Sequence, residues 1–144
     1  MQKRPNILIM LSDQQRPDTM GCYGQKLPVT PNIDRWAREG TRFANAFTPQ
    51  PVCGPARSCL QTGVYATETG CYRNDIALPF DRRTIAHQLS DAGYRVGYVG
   101  KWHLASTGAE EDYKVKQIPP ERRGGWRDFW VASDVLEFTS HGYG

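Results

Sequence analysis

An α/β domain is the fold this sequence predicts, and three stretches predict it. Pro5 to Ser12 is a near-continuous apolar run that stops at Ser12-Asp13-Gln14, the pattern of a central strand covered on both faces. Tyr94 to Val99 is a second strand, and Gly100-Lys101-Trp102-His103-Leu104 is its carboxyl end. Between the two lie two short segments with helix start and stop signals. In open α/β sheets ligands gather at the carboxyl ends of strands, so Asp13, Lys101 and His103 are well placed for chemistry.

Taken in order, Gly21-Cys22-Tyr23-Gly24 reads as a turn. Thr30 to Gly40 is a helix with Thr30 as cap, Pro31 in the first position and Gly40 at the end. Its inward stripe is Ile33, Trp36 and Ala37. Thr41 to Phe47 is a short strand-like segment that carries Phe43 and Phe47 on one face. Cys53-Gly54-Pro55-Ala56-Arg57 then opens a further helix that closes at Thr62-Gly63. Proline suits a first turn because it has no N–H to leave unbonded there. Cys53 therefore sits at or just before a helix N-terminus, where free amides favour an anion, and Arg57 is one turn along. Tyr65 to Leu78 reads as loop with Arg73-Asn74-Asp75 at its tip. Thr84 to Gly93 is a capped helix with Ile85, Leu89 and Ala92 inward and His87 solvated or at the rim. Ala105 to Gly124 is a polar, Pro-rich surface loop. Trp126 to Phe138 is apolar with weak periodicity, and His141 to Gly144 has no capping logic.

Bulk properties narrow the function. The chain has 144 residues, enough for one domain with a real core, and 39% hydrophobic and 23% charged residues are ordinary for a globular protein. A net charge of +3 is too small to argue for nucleic acid or a membrane surface. Cys22, Cys53, Cys59 and Cys71 form no C-x-x-C pair, which argues against zinc and favours reduced, partly buried thiols. The basic start and short apolar run lack a small-residue cleavage site, so a cytoplasmic location is the expectation, or a periplasmic or secreted one where a leader has been removed.

Read from the residues, three functions compete. Cys53 with Arg57 could be a thiolate nucleophile with a phosphate-binding arginine. That chemistry uses a longer cradle between the two, and Pro55 removes one of its amides. Cys53 could instead be a modified residue in a metal-dependent hydrolase, with Asp13 and Gln14 as oxygen ligands and Lys101 with His103 as the anion site. The third is an α/β binding module with structural cysteines.

The motifs resemble the N-terminal part of the type I sulfatases, in the alkaline phosphatase superfamily. The resemblance is carried by Pro5-Asn6-Ile7-Leu8-Ile9 with Asp13, Thr30-Pro31-Asn32-Ile33-Asp34, Cys53-Gly54-Pro55-Ala56-Arg57 with Thr62-Gly63, and Gly100-Lys101-Trp102-His103. It implies an alkaline phosphatase-like α/β fold with a largely parallel sheet, of which residues 1–144 are the first part. It implies that Cys53 is oxidised to formylglycine by a maturation enzyme, and that the hydrated aldehyde attacks a sulfate ester of a small molecule or carbohydrate. Asp13, Gln14 and the modified Cys53 would hold a divalent cation, calcium in the first instance and magnesium as the alternative. Arg57 would steady the formylglycine, and Lys101 and His103 would bind the sulfate. Phosphonate or phosphate ester hydrolysis is the runner-up. The sequence departs from the family pattern at Gln14, where a second aspartate is common, at Ala56 for serine, at Gln61 for an apolar residue, and at Val96 for serine or threonine.

Overall fold

The computed structural model describes residues 4–136. They divide into two compact units, one up to Ala46 and one from Phe47 onward. The chain end from His141 to Gly144, and the last residues of the apolar segment that begins at Trp126, lie outside the described residues.

In the first unit Pro31 opens helix α1, Pro31–Glu39, and Gly40 ends it, as its caps predict. Two 3-10 turns, Pro17–Thr19 and Gly21–Tyr23, precede it. Thr30 does not cap α1 with its side chain. Its Oγ1 accepts from the Gly21 amide at 3.0 Å and donates to Asp34 at 3.2 Å. Asp34 in turn accepts from the Cys22 amide at 2.7 Å. A Cβ on Gly21 would stand 2.3 Å from Asp34 Oδ2, so the turn can approach the helix only through glycine. The expected inward stripe is not buried, and Trp36 is 50% exposed.

Two expected strands do not form. Pro5 to Ser12 and Thr41 to Phe47 have no ladder partner among the described residues. Leu8 is 83% and Phe47 91% exposed. An apolar run becomes a central strand only when neighbours satisfy its backbone and layers cover its faces. The described residues supply neither.

The second unit contains helices α2 (Cys53–Thr62), α3 (Ala66–Thr69) and α4 (Ile85–Asp91), and strands β1 (Gly97–Lys101) and β2 (Phe129–Ser133). The α3 turn lies inside the stretch read as loop. Thr69 and Ala66 are buried, and Gly70 closes the turn at φ 86°. Strand β1 starts later than expected because the Tyr94 amide is used to close α4 on the Leu89 carbonyl. The strands pair in parallel, from Gly97 opposite Phe129 to Lys101 opposite Ser133. Their crossover carries the 3-10 turn Pro120–Arg122 in place of a helix, and it is not only surface, since Ile118 is 1% exposed.

The core lies on one face of this pair. Cys71, Leu78, Ala86, Val96, Trp102, Leu104, Ile118 and Trp126 form it, with Tyr98 and Trp130 packed against it. Tyr98 meets the Trp102 ring edge-on at 5.2 Å and stacks on Trp130 at 5.4 Å, favourable geometries for aromatic pairs. Burial raises the pKa of the Cys71 thiol, which suits an inert core residue. None of the four cysteines is in a disulfide, as expected.

Helix α4 corrects the reading of His87. Thr84 accepts from the Ala86 amide, and His87 Nδ1 accepts from the Thr84 amide at 3.1 Å, a reciprocal capping box. His87 is thus a structural cap. Burial and then the Arg83 charge lower its pKa below 6.5. A lowered folded pKa means that the unfolded state binds more protons as pH falls. Stability should therefore be complete above about pH 6.5 and decline as pH drops through the folded-state value. Urea unfolding at pH 7.5, 6.5 and 5.5 should show the decline. His87→Gln, which keeps an acceptor at the same capping position, should lessen it.

Candidate active site

Helix α2 is unusual in what it buries. Gly54, Arg57, Ser58 and Gln61 recur at helical spacing and are all buried, so its inward stripe is small or polar. Each member has a partner. The Gly54 amide donates to Asn74 Oδ1 at 2.8 Å. Arg57 Nη1 donates to the Lys101 carbonyl at 2.6 Å. Ser58 Oγ donates to the Pro55 carbonyl at 2.9 Å and meets Thr69 Oγ1 at 3.3 Å. Gln61 Oε1 accepts from the Trp126 indole at 3.0 Å. The departure at Gln61 is thereby explained, because an apolar side chain there would leave a buried indole N–H unpaired.

Cys53 is the first residue of α2 and is half-buried. The expected anion site on its free amides is largely closed. Asn74 takes the Gly54 amide, Pro55 has none, and the Ala56 amide bonds the Val52 carbonyl at 2.8 Å. Asn74 is therefore no solvated loop tip. Asp75 beside it holds a left-handed φ of 61° and pairs with Lys114 at 2.9 Å.

Lys101 ends β1 and is 8% exposed. Its carbonyl accepts from Tyr98 Oη at 2.6 Å as well as from Arg57. Lys101 and His103 do not share a face by strand alternation, because the strand ends at Lys101. His103 takes φ 57°, and Gly100 before the turn takes φ 114°. His103 is half-buried, and its Nδ1 is buried without a hydrogen-bond partner. Desolvation, and then the Lys101 charge, lower its pKa below 6.5, against Asp134 and Asp75. The ring is neutral at physiological pH. A Cβ on Gly54 would lie 3.5 Å from the His103 carbonyl oxygen and 3.1 Å from Asn74 Oδ1. The first turn of α2 and the turn after β1 are thus in contact, which brings the Cys53, Arg57, Lys101 and His103 segments together.

Asp13 and Gln14 lie on an exposed bend of the first unit, with Gln14 at φ 54°. Among the described residues no group of three or more His, Cys, Asp and Glu side chains could hold a metal.

The family model for sulfatases matches residues 5–140. This chain belongs to the sulfatase family. An N-acetylglucosamine-6-O-sulfatase from Bacteroides thetaiotaomicron is 42% identical over 143 residues, which is 98% of this chain and 25% of that protein. The crystal structure of yidJ from Bacteroides fragilis aligns with a TM-score of 0.75 at 35% identity, over 85% of this chain and 30% of that one. The phosphonate monoester hydrolase of Agrobacterium radiobacter aligns with a TM-score of 0.69 at 27% identity, over 90% of this chain and 25% of that one. The expected alkaline phosphatase-like α/β fold therefore stands, and the chain spans about a quarter of the length of the relatives it matches.

Three residues of this sulfatase segment matter to the site and have no sequence signal of their own. Asn74 and Asp134 act through bonds to the distant Gly54 and Leu104 amides, and Tyr98 through the Lys101 carbonyl three residues on. Their partners are backbone atoms, which look alike in any sequence. Asn74→Ala should destabilise the protein by about 1 kcal/mol, the usual cost of losing a helix-start acceptor. Asn74→Asp, which keeps the acceptor and suits the positive end of α2, should restore most of it. Denaturant midpoints of the two variants check this.

Proposed function

We propose that residues 1–144 form the nucleophile-bearing part of a sulfatase catalytic domain, and that the whole enzyme hydrolyses a sulfate ester to an alcohol and inorganic sulfate. The observation that carries this reading is the contact between the Cys53-Gly54 turn of α2 and the His103 carbonyl, in a chain whose family match spans both motifs. In this reading a maturation enzyme converts Cys53 to formylglycine. The hydrated aldehyde supplies a hydroxyl nucleophile for sulfur and a second hydroxyl through which sulfate is released. Lys101 and His103 bind the transferring oxygens, where fixed cations and donors stabilise the charge that develops. Arg57 keeps Lys101 in register through the Lys101 carbonyl.

Asp13 and Gln14 offer oxygen donors suited to calcium, or to magnesium in second place. They are too few, since calcium takes about six to eight oxygens. In this reading Asp13, Gln14 and the modified Cys53 would be among its ligands, and the others would come from the rest of the whole enzyme. When bound, such an ion would raise the acidity of the attacking hydroxyl. A carbohydrate sulfate ester is the proposed substrate class, supported by the likeness to the N-acetylglucosamine-6-O-sulfatase. Phosphonate monoester hydrolysis is the second reading, favoured by the likeness to the Agrobacterium enzyme.

Peptide mass analysis across Cys53, from a host that contains the maturation enzyme, should show the loss of mass that accompanies exchange of a thiol for an aldehyde oxygen. An unmodified thiol throughout would overturn the formylglycine assignment. Purified 1–144 should hydrolyse no aryl sulfate. The full-length enzyme should turn over an aryl sulfate faster than the matched aryl phosphonate, and the reverse order would select the second reading.

A further inference from the structure

Asp134 is the only buried carboxylate among the described residues, at 0% exposure. It follows the last residue of β2 and is turned onto the chain that leaves β1. Its Oδ1 accepts from the Leu104 amide at 2.9 Å and the Ala105 amide at 3.0 Å. Its Oδ2 accepts from the Ser106 amide at 2.9 Å and from Ser106 Oγ at 2.5 Å. An ionised carboxylate is acceptor-only, with about four lone-pair sites. All four are in use, and an amide side chain in the same place could not accept them all.

The segment held this way starts one residue after His103. One residue before His103, the Trp102 amide donates to the Ser133 carbonyl at 2.8 Å, which carries the strand pairing one step further. His103 is thus the single residue between two ties to the end of β2. It sits there at φ 57° with its own Nδ1 unpartnered. No hydrogen bond to Nδ1 fixes the ring, so the backbone on either side must set its placement. Loss of the second tie would release the left-handed residue that faces Gly54. The negative charge of Asp134 also acts on the His103 ring, opposing the effect of Lys101.

We propose that Asp134 is a positioning residue of this site: by collecting the amides of Leu104 to Ser106 it holds the turn that presents Lys101 and His103 to the Cys53 end of α2. The proposal rests on the sulfatase reading for its effect on turnover, but not for its effect on the turn.

The test is Asp134→Asn in the matured full-length enzyme, assayed with an aryl sulfate and by amide hydrogen exchange. Exchange at residues 104–106 should quicken by about tenfold or more, while α2 and α4 keep their protection. The kcat should fall by about 10- to 100-fold with KM changed by less than about threefold, as expected for misplacement on the ångström scale. In a His103→Ala background the same substitution should cost less than about threefold, because coupled residues are not additive. Equal losses in both backgrounds, unchanged kcat, or a uniform rise in exchange would each overturn the proposal. Should Asp134→Asn fail to fold, Ser106→Ala removes one of the four donors and should show a smaller loss with the same dependence on His103. Should the wild-type enzyme cleave no sulfate ester, the sulfatase reading fails, and the exchange pattern alone decides whether Asp134 holds the turn.

Discussion

The bond from the Arg57 guanidinium to the Lys101 carbonyl is the constraint on which the rest of the site depends. It joins the first turns of α2 to the carboxyl end of β1 at 2.6 Å, between two residues that are each 8% exposed. A charged donor in such a place contributes about 1.5–3 kcal/mol, and removing its partner costs at least as much because the cation would remain buried. Tyr98 Oη occupies the other lone pair of the same oxygen. Tyr98 is itself fixed by three tryptophan rings, so the aromatic core determines where that carbonyl points. Packing energy is thereby passed to a polar site without any apolar side chain entering it.

The polar stripe of α2 follows from the same logic. An apolar stripe would let the helix rotate or slide at little cost, since hydrophobic contact is non-directional. Gly54, Arg57, Ser58 and Gln61 instead bond to Asn74, to the end of β1, to Thr69 and to Trp126. Four directional contacts to four different segments admit one rotation and one axial position. A partly satisfied buried network is worse than none, which makes the arrangement all-or-nothing. The helix that begins with Cys53 is held more by specificity than by burial.

Sequence patterns carried the helices well and the sheet poorly. Caps and terminal glycines located α1, α2 and α4 because they act within a few residues. Cys53, Arg57, Lys101 and His103 were legible through their motifs, and their segments lie in contact. The apolar run at Pro5 did not become a strand, because strand formation depends on partners that local composition cannot reveal. Asn74 was read as part of a loop tip, and His87 as solvated or at the rim, for a related reason. Each bonds backbone amides at a helix start, and only the fold brings Asn74 there. The buried Asp134 was invisible because a lone aspartate ordinarily predicts exposure or a cap.

The closed N-terminus of α2 bears on the kind of chemistry this turn can support. A thiolate phosphate-binding loop gathers its anion with a ring of backbone amides, and the dipole of the following helix strengthens it. Here the Gly54 amide is spent on Asn74, the Ala56 amide on Val52, and Pro55 contributes none. An anion that approached Cys53 would have to be met by side chains on a different element. The turn after β1 offers a buried lysine and a neutral histidine, tied to α2 through Arg57. Backbone amides cannot be moved without moving the helix, whereas side-chain donors can follow a tetrahedral group as its charge shifts from one oxygen to another. The proline that first argued against a thiol phosphatase thus also explains why the lysine and histidine donors sit on a second element.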